Sequence, residues 1–199
     1  MLSKEVRILT EKEKMLAGLL YDAGKDEELV NERAICGDLC YEYNHLRPSM
    51  VEERKDIIKN LLGKTGETFW IEQPFRCDYG YNIEIGENFY SNYNCIVLDA
   101  AKVTFGDNVF IAPNCGFYTA GHPLESEQRN SGLEFAHPIK IGNNVWLGGN
   151  VIVLPGVTIG DNTVIGAGSV VSKDIPSGVI AVGTPCKVLR EITEEDKKV

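Results

Sequence analysis

The chain has 199 residues, of which 43% are hydrophobic and 25% charged, and a net charge of −9. That is enough material for a substantial core in one domain, or in one domain with a small appendage. The acidic balance argues against nucleic acid or anionic membrane as the partner, and leaves room only for a local basic patch facing an anionic cofactor.

The first residues, MLSKEVRILTEKEK, carry no apolar core of the signal-peptide kind. No run approaches the roughly 20 apolar residues of a membrane span. Residues 1–65 read as a helical segment. Thr10 to Glu13 forms a capping box, and Met15, Leu16, Leu19 and Leu20 follow with helical spacing. Gly24 and Asp26 mark a break. A second helix is predicted from Glu27 to Tyr43, with Leu29, Ile35, Leu39 and Tyr43 on its apolar side. A second capping box, Ser49 to Glu52, opens a third helix holding Ile57, Ile58, Leu61 and Leu62, which Gly63 closes. Six Cys, at 36, 40, 77, 95, 115 and 186, show neither CxxC nor zinc-ribbon spacing. Cys36 and Cys40 fall one turn apart on the second helix, with packing as the expected role. Together these features predict a reducing, cytoplasmic location.

From residue 66 the pattern changes. Between Ile141 and Ile175 an aliphatic residue recurs every six positions: Ile141, Leu147, Val153, Ile159, Ile165 and Val171. Val145, Val151, Val157, Thr163 and Ser169 follow four positions behind. A period of six is neither the 3.6 of a helix nor the alternation of a flat strand. It predicts a parallel β-helix, with one short strand and a turn per hexad and three hexads per coil. Glycines 142, 148, 160 and 166 then supply turns, by positive φ or by close backbone approach. The period continues upstream through Phe105 and Ile111. Ile85, Ser91 and Val97 keep it in a phase shifted by two, which predicts an insertion near 99–102. Residues 118–140 are too polar and irregular for coil and read as a loop extruded from a 66–188 β-helix. Residues 178–188 form an irregular closing piece, and 189–199 a charged tail, helical or frayed.

Three His are candidates for chemistry. His122 sits in the extruded loop between Gly121 and Pro123, where a positioned imidazole suits a general base, since histidine protonates nearest neutrality. His137 reads as structural, and His45 as a helix C-terminal cation. A three-His zinc centre would need all three to converge, although His45 comes from the helical segment. A Ser-His-Asp hydrolase lacks its GxSxG elbow.

These stretches together resemble the maltose and galactoside O-acetyltransferases, a family of hexapeptide-repeat acyltransferases. The resemblance runs through EKEKMLAGLLYDAGKDEEL, FRCDYGYNIEIGENFYSNYNCIVLD, TAGHP, RNSG, the hexads from Ile141 onward and VGTPCKVLREI, and so covers nearly the whole chain. It leans to the maltose branch. It implies a left-handed parallel β-helix, mainly all-β with a small N-terminal helical segment, assembled as a homotrimer with active sites between subunits. It implies acetyl transfer from acetyl-CoA to a sugar hydroxyl in a ternary complex, with no metal required. His122 matches the catalytic base, and Asn92 a residue that stabilises the transition state and contacts the acceptor. Asp22, Asp78 and, more weakly, Asp99 match acceptor-binding positions. The galactoside branch has a further acidic residue where this chain has Ala100. On the cofactor side the resemblance implies Trp146, Gly149, Ala167, Ser172 and Lys173 along the pantetheine arm. The Gly149 N–H would meet the thioester oxygen, and Lys187 and Arg190 the phosphates. Two other readings stand beside this: an acetyltransferase for an antibiotic or other xenobiotic, and a non-catalytic trimeric scaffold. A scaffold has no use for His122, Asn92 and Trp146 together.

Overall fold

In the computed structural model of the chain, which describes residues 7–198, each hexad steps from one corner of a parallel β-helix to the next. The first face stacks Ile83–Ile85, Val103–Phe105, Ile139–Ile141 and Thr158–Ile159, extended by single bridges at Lys64 and Ile175. The second stacks Phe69–Ile71, Phe89–Ser91, Phe110–Ile111, Trp146–Leu147, Val164–Ile165 and Val179–Val182, and the antiparallel strand Lys187–Glu191 closes it. The third stacks Phe75–Cys77, Cys95–Leu98, Gly116–Tyr118, Ile152–Val153 and Val170–Val171. About six turns result. The strands are two to four residues long because each ends where the chain turns a corner.

All six aliphatics of the hexad ladder are buried, and so are the five residues four positions behind them. The interior is therefore filled by two rows, each in register from coil to coil. Each aliphatic so buried contributes roughly 1.5–3 kcal/mol relative to exposure. Of the two roles expected for the corner glycines, close backbone approach is the one found. None of glycines 142, 148, 160 and 166 has positive φ; each is required by close approach, as where a Cβ on Gly148 would stand 2.6 Å from Ala167 N. The left-handed residue comes two positions later and is usually asparagine: Asn88, Asn94, Asn108, Asn114, Asn144, Asn150 and Asn162 all have φ between 54° and 63°. Asparagine tolerates this region because its short amide bonds locally. Here it also bonds its copy in the next coil, Asn88 to Asn108, Asn108 to Asn144 and Asn144 to Asn162, each at 3.0 Å.

Regular coils repeat every 18 residues, as Lys140 with Thr158. The first two repeat every 20, as Phe69 with Phe89 and Ile83 with Val103. So there are two insertions, at 78–82 and 99–102, where the sequence had shown one. Both leave the corner after the third face, and so does the long loop, 119–138. The extruded loop reads as irregular in the sequence, but it contains regular elements. Ala120–Gly121 pairs with Leu133–Ala136, and a short helix, α4 (Ser126–Asn130), lies between them. One corner thus carries every insertion, coil above coil.

The helical segment contains α1 (Glu11–Leu16), α2 (Glu27–His45) and α3 (Val51–Leu61). The Thr10 capping box forms, but α1 ends before Leu19 and Leu20, which are exposed. On α2 the buried positions are Leu29, Cys36, Cys40 and Tyr43; Ile35 faces outward. Helix α3 has Met50 at its N-cap, with no side-chain hydrogen bond, so the second capping box does not form. Gly63 does not close α3 in a left-handed turn. It lets the chain pass Tyr81, whose carbonyl oxygen lies 2.1 Å from where a Cβ would be. Buried Arg54 of α3 stacks on Trp70, donates to the Ile71 carbonyl at 2.9 Å and pairs with Glu72 at 3.3 Å, tying the helices to the first coil.

At the far end, Val179–Val182 and Lys187–Glu191 form a hairpin that crosses the boundary drawn at 188, and 194–198 is a 3-10 helix. No helix among the described residues is long and apolar enough to cross a membrane. The reading of a missing signal peptide rests partly on residues 1–6, which lie outside the described residues.

Candidate active site

A small antiparallel sheet holds the first group of predicted residues together. Its strands are ordered Tyr21–Asp22, Leu133–Ala136, Ala120–Gly121, so the loop's returning strand bridges the helical segment to the strand that precedes His122. Asp22 is in register with Leu133, and the Leu133 carbonyl lies 3.1 Å from His122 Nδ1. A carbonyl only accepts, so Nδ1 carries the proton and Nε2 keeps its lone pair. The ring is exposed, and that lone pair is available to a substrate. Burial of Pro123 behind it fixes the loop. The other two histidines lie elsewhere. His45 Nδ1 is 2.7 Å from the Tyr41 carbonyl, with its ring stacked on Tyr41, and His137 packs beside Phe135.

Beneath this sheet lies a cavity of about 250 Å³ lined by Tyr21, Ala23, Gly24, Arg33, Asp78, Tyr79, Ala100 and Glu134. Tyr21 Oη donates to Glu134 at 3.0 Å, and Arg33 Nη1 donates to Tyr79 Oη at 2.7 Å. Burial pushes the Asp78 carboxyl up to about 6, with Arg33 opposing and Glu134 adding to the rise. Asp22 sits at the rim, its carboxylate held down by Lys25 at 3.0 Å and by the N–H groups of Gly24 and Lys25.

Asp99 departs from the expectation of an acceptor contact. It is 0% exposed, and its Oδ1 accepts from the N–H of Asp78 at 3.0 Å and of Tyr79 at 2.9 Å. It therefore shapes the inserted corner that carries Asp78. Its Oδ2 is buried without a partner, and burial raises its carboxyl to about 6.

The second group of predicted residues occupies a different corner, between the second and third faces. Asn92 follows Phe89–Ser91 there, and its Oδ1 accepts from Tyr93 N–H at 2.8 Å. Two coils along the same column come Gly148 and Gly149, then Gly166 and Ala167. Trp146, 56% exposed, stacks in register between Phe110 and Val164 on the second face, and Lys187–Glu191 closes that face. Lys187 and Arg190 are thus carried at the end of the sheet that displays Trp146. The Arg190 fork is occupied by Asp196, at 2.6 and 2.8 Å, so meeting a phosphate requires exchange of that carboxylate. Ser172 and Lys173 are exposed at the loop's corner, on the last coil of the third face.

Residues 14–66 match the family model described as the maltose acetyltransferase hexapeptide capping motif, and residues 138–173 the model of the bacterial transferase hexapeptide. Galactoside O-acetyltransferase of Escherichia coli K12 is 50% identical over 185 residues, 93% of this chain and 91% of that one. The chain belongs to the maltose and galactoside O-acetyltransferase family. A crystal structure of a maltose O-acetyltransferase from Clostridium difficile 630 superposes with a TM-score of 0.92 at 54% identity, covering 94% of this chain and all of that one. A galactoside acetyltransferase solved with coenzyme A gives 0.92 at 48%, covering 96% and 94%.

In this acetyltransferase the cavity is also lined by Tyr21, Arg33, Tyr79 and Glu134, to none of which the sequence assigns a role. Arg33 is one of many charges on α2, and Glu134 lies in the irregular loop; only packing brings them together. Asp99 offers a test of that packing. Its folded carboxyl titrates near 6, against about 3.9 for an unfolded Asp. The native state therefore binds more protons in that window, and stability falls as pH rises through it. The full penalty, roughly 3 kcal/mol, applies above it. Asp99→Asn keeps the Oδ1 acceptor and removes the charge. Its melting temperature should match wild type near pH 4 and exceed it increasingly toward pH 7. A difference independent of pH would show that Asp99 is not ionised at this cost.

Proposed function

We propose that this acetyltransferase moves an acetyl group from acetyl-CoA to a hydroxyl of a small sugar, in sites formed between neighbouring subunits of a homotrimer. One observation carries the reading. The base and its carboxylate-lined cavity stand on one corner of the coil, whereas Asn92 and the Trp146 column stand on another. A third-face strand separates the two corners, so a site using both groups needs two chains. The apolar exposure of Trp146 at 56%, Phe110 at 50% and Tyr93 at 52% along the second group supports a partner there.

The steps then follow from the atoms. His122 Nε2 takes the proton of the acceptor hydroxyl as that oxygen attacks the thioester carbonyl carbon. The tetrahedral oxyanion is met by the Gly149 N–H of the neighbouring subunit. Collapse breaks the C–S bond, and the departing thiolate takes the proton back from His122. Asp22, Asp78 and Glu134 accept from sugar hydroxyls, and Arg33 holds Tyr79 in place. The cavity suits one sugar ring, and a carboxylate-rich lining favours a polyol over an apolar xenobiotic. Lys187 and Arg190 meet the phosphates of the cofactor, whose supply places the reaction in the cytoplasm.

Thiol release from acetyl-CoA, measured with glucose, maltose, galactosides and a xenobiotic alcohol, ranks the acceptors. A mixing experiment tests the subunit arrangement. Chains carrying His122→Ala and chains carrying Asn92→Ala, each nearly inactive alone, are co-folded. Random trimers then regain intact sites at about a quarter of positions. No recovery in mixed trimers would place both groups in one chain and sink the arrangement.

A further inference from the structure

Outside the site, three thiols converge. Cys36 and Cys40, one turn apart on α2, meet Cys77 at the end of Phe75–Cys77. The Cys36 and Cys77 sulfurs are 3.5 Å apart, those of Cys40 and Cys77 3.8 Å, and all three lie within 4.8 Å of one another. Sulfurs bound tetrahedrally to zinc at about 2.3 Å stand about 3.8 Å from each other. Two edges of the triad therefore already match a zinc-thiolate face, and the third, Cys36 to Cys40, is within 4.8 Å. Cys36 and Cys40 are buried and Cys77 is half-buried, so the sulfurs are shielded but not sealed. A cleft of about 240 Å³, lined by Gly37, Cys40, Arg76, Cys77, Asp78, Ile96 and Leu98, reaches two of the three. It supplies an entry path and room for a fourth, exchangeable ligand. The remaining cysteines form no such cluster: Cys95 and Cys115 stack in adjacent coils of the third face, Cys186 is buried apart from them, and Cys115 donates to the Gly148 carbonyl at 3.3 Å. Packing alone asks only for small apolar groups and gives no reason for three sulfurs to face one point.

We propose that Cys36, Cys40 and Cys77 form a binding site for a thiophilic d10 divalent cation, of which zinc is the biological representative. Binding is coordination without redox change: three S–H bonds break, three protons pass to solvent, and three thiolates bind the ion with a water at the cleft. Three thiolates leave one net negative charge, and Arg76 lines the same cleft. Because Cys77 immediately precedes Asp78, the ion would tie α2 to the coil that carries an acceptor carboxylate. The site is separate from the acetyl-transfer chemistry and its existence does not rest on it.

The test uses the reduced, metal-stripped full chain titrated with zinc and with cadmium. The expected result is one equivalent per chain, release of protons, an ultraviolet sulfur-to-cadmium band, and a melting temperature raised by either metal. Cys77→Ser, at the half-buried position, should lower affinity at least tenfold and abolish the melting shift, while Cys186→Ser leaves both unchanged. Cys36→Ala provides a second variant if Cys77→Ser folds poorly. No sulfur band, a band kept in both triad variants, or a disulfide within the triad that persists under reducing conditions would overturn the assignment.

Discussion

Replacing His122 by Ala lowers turnover by roughly 10²–10⁴-fold, the contribution of a positioned general base. A sugar hydroxyl is a poor nucleophile at neutral pH, and His122 Nε2 is an exposed basic atom held by Leu133, the strand neighbour of cavity-lining Glu134. The Leu133 carbonyl fixes the tautomer through Nδ1, so the ring's orientation and its free lone pair have one cause. The loss should fall on kcat. Acetyl-CoA affinity, measured by calorimetry, should stay near wild type, because Trp146, Gly149, Lys187 and Arg190 on the cofactor side lie off the loop's corner. The fold should stay as well: the imidazole is exposed, and the carbonyl it releases turns to water. A variant that keeps near wild-type kcat would remove His122 from the mechanism. One that loses acetyl-CoA binding in proportion would make its role structural.

The second large effect concerns the ladder. Ile159 is 1% exposed and in register with Ile141 on one side and Ile175 on the other. Ile159→Asp puts a carboxylate where no donor is in reach. The effective penalty for an unpaired buried charge is several kcal/mol, on top of roughly 2–5 kcal/mol for the lost side chain. Together these approach the 5–15 kcal/mol that holds a typical domain folded. The expected result is insoluble protein, or soluble protein without a cooperative melt. Ile159→Val, by comparison, should cost only about 1 kcal/mol and keep the fold. If Ile159→Asp melts within a few degrees of wild type, the inward ladder is wrong.

The coil was legible because its signal is local and repeated. A side chain every six residues that must point inward leaves a pattern no helix or flat sheet imitates, and the six ladder residues Ile141, Leu147, Val153, Ile159, Ile165 and Val171 are buried as read. The turn chemistry was half legible. The glycines drew attention, yet the left-handed positions belong mostly to asparagine, and Asn88, Asn108, Asn144 and Asn162 form one hydrogen-bonded column across the coils. That repeat was present in the sequence and readable by the same counting. The helices were legible in place but not in detail. Facing depends on what lies opposite, and α2 turns Cys36 and Cys40 inward because the first coil brings Cys77 to meet them.

The sequence by itself determined the architecture, the long loop thrown out of the coil, and the family, since each is written in short-range spacing or in motifs of a few residues. Only the tertiary structure decided which residues share a site. Arg33, Asp78 and Glu134 come from a helix, an inserted corner and a returning loop strand, and they line one cavity only because every insertion leaves the same corner of the coil. Asp99, expected beside the acceptor, lies instead behind Asp78, where its Oδ1 accepts from the backbone N–H groups of Asp78 and Tyr79. The physical reason is common to both. Coil stacking brings residues about 20 positions apart within 5 Å of one another along a column, and no local pattern records which column a side chain joins.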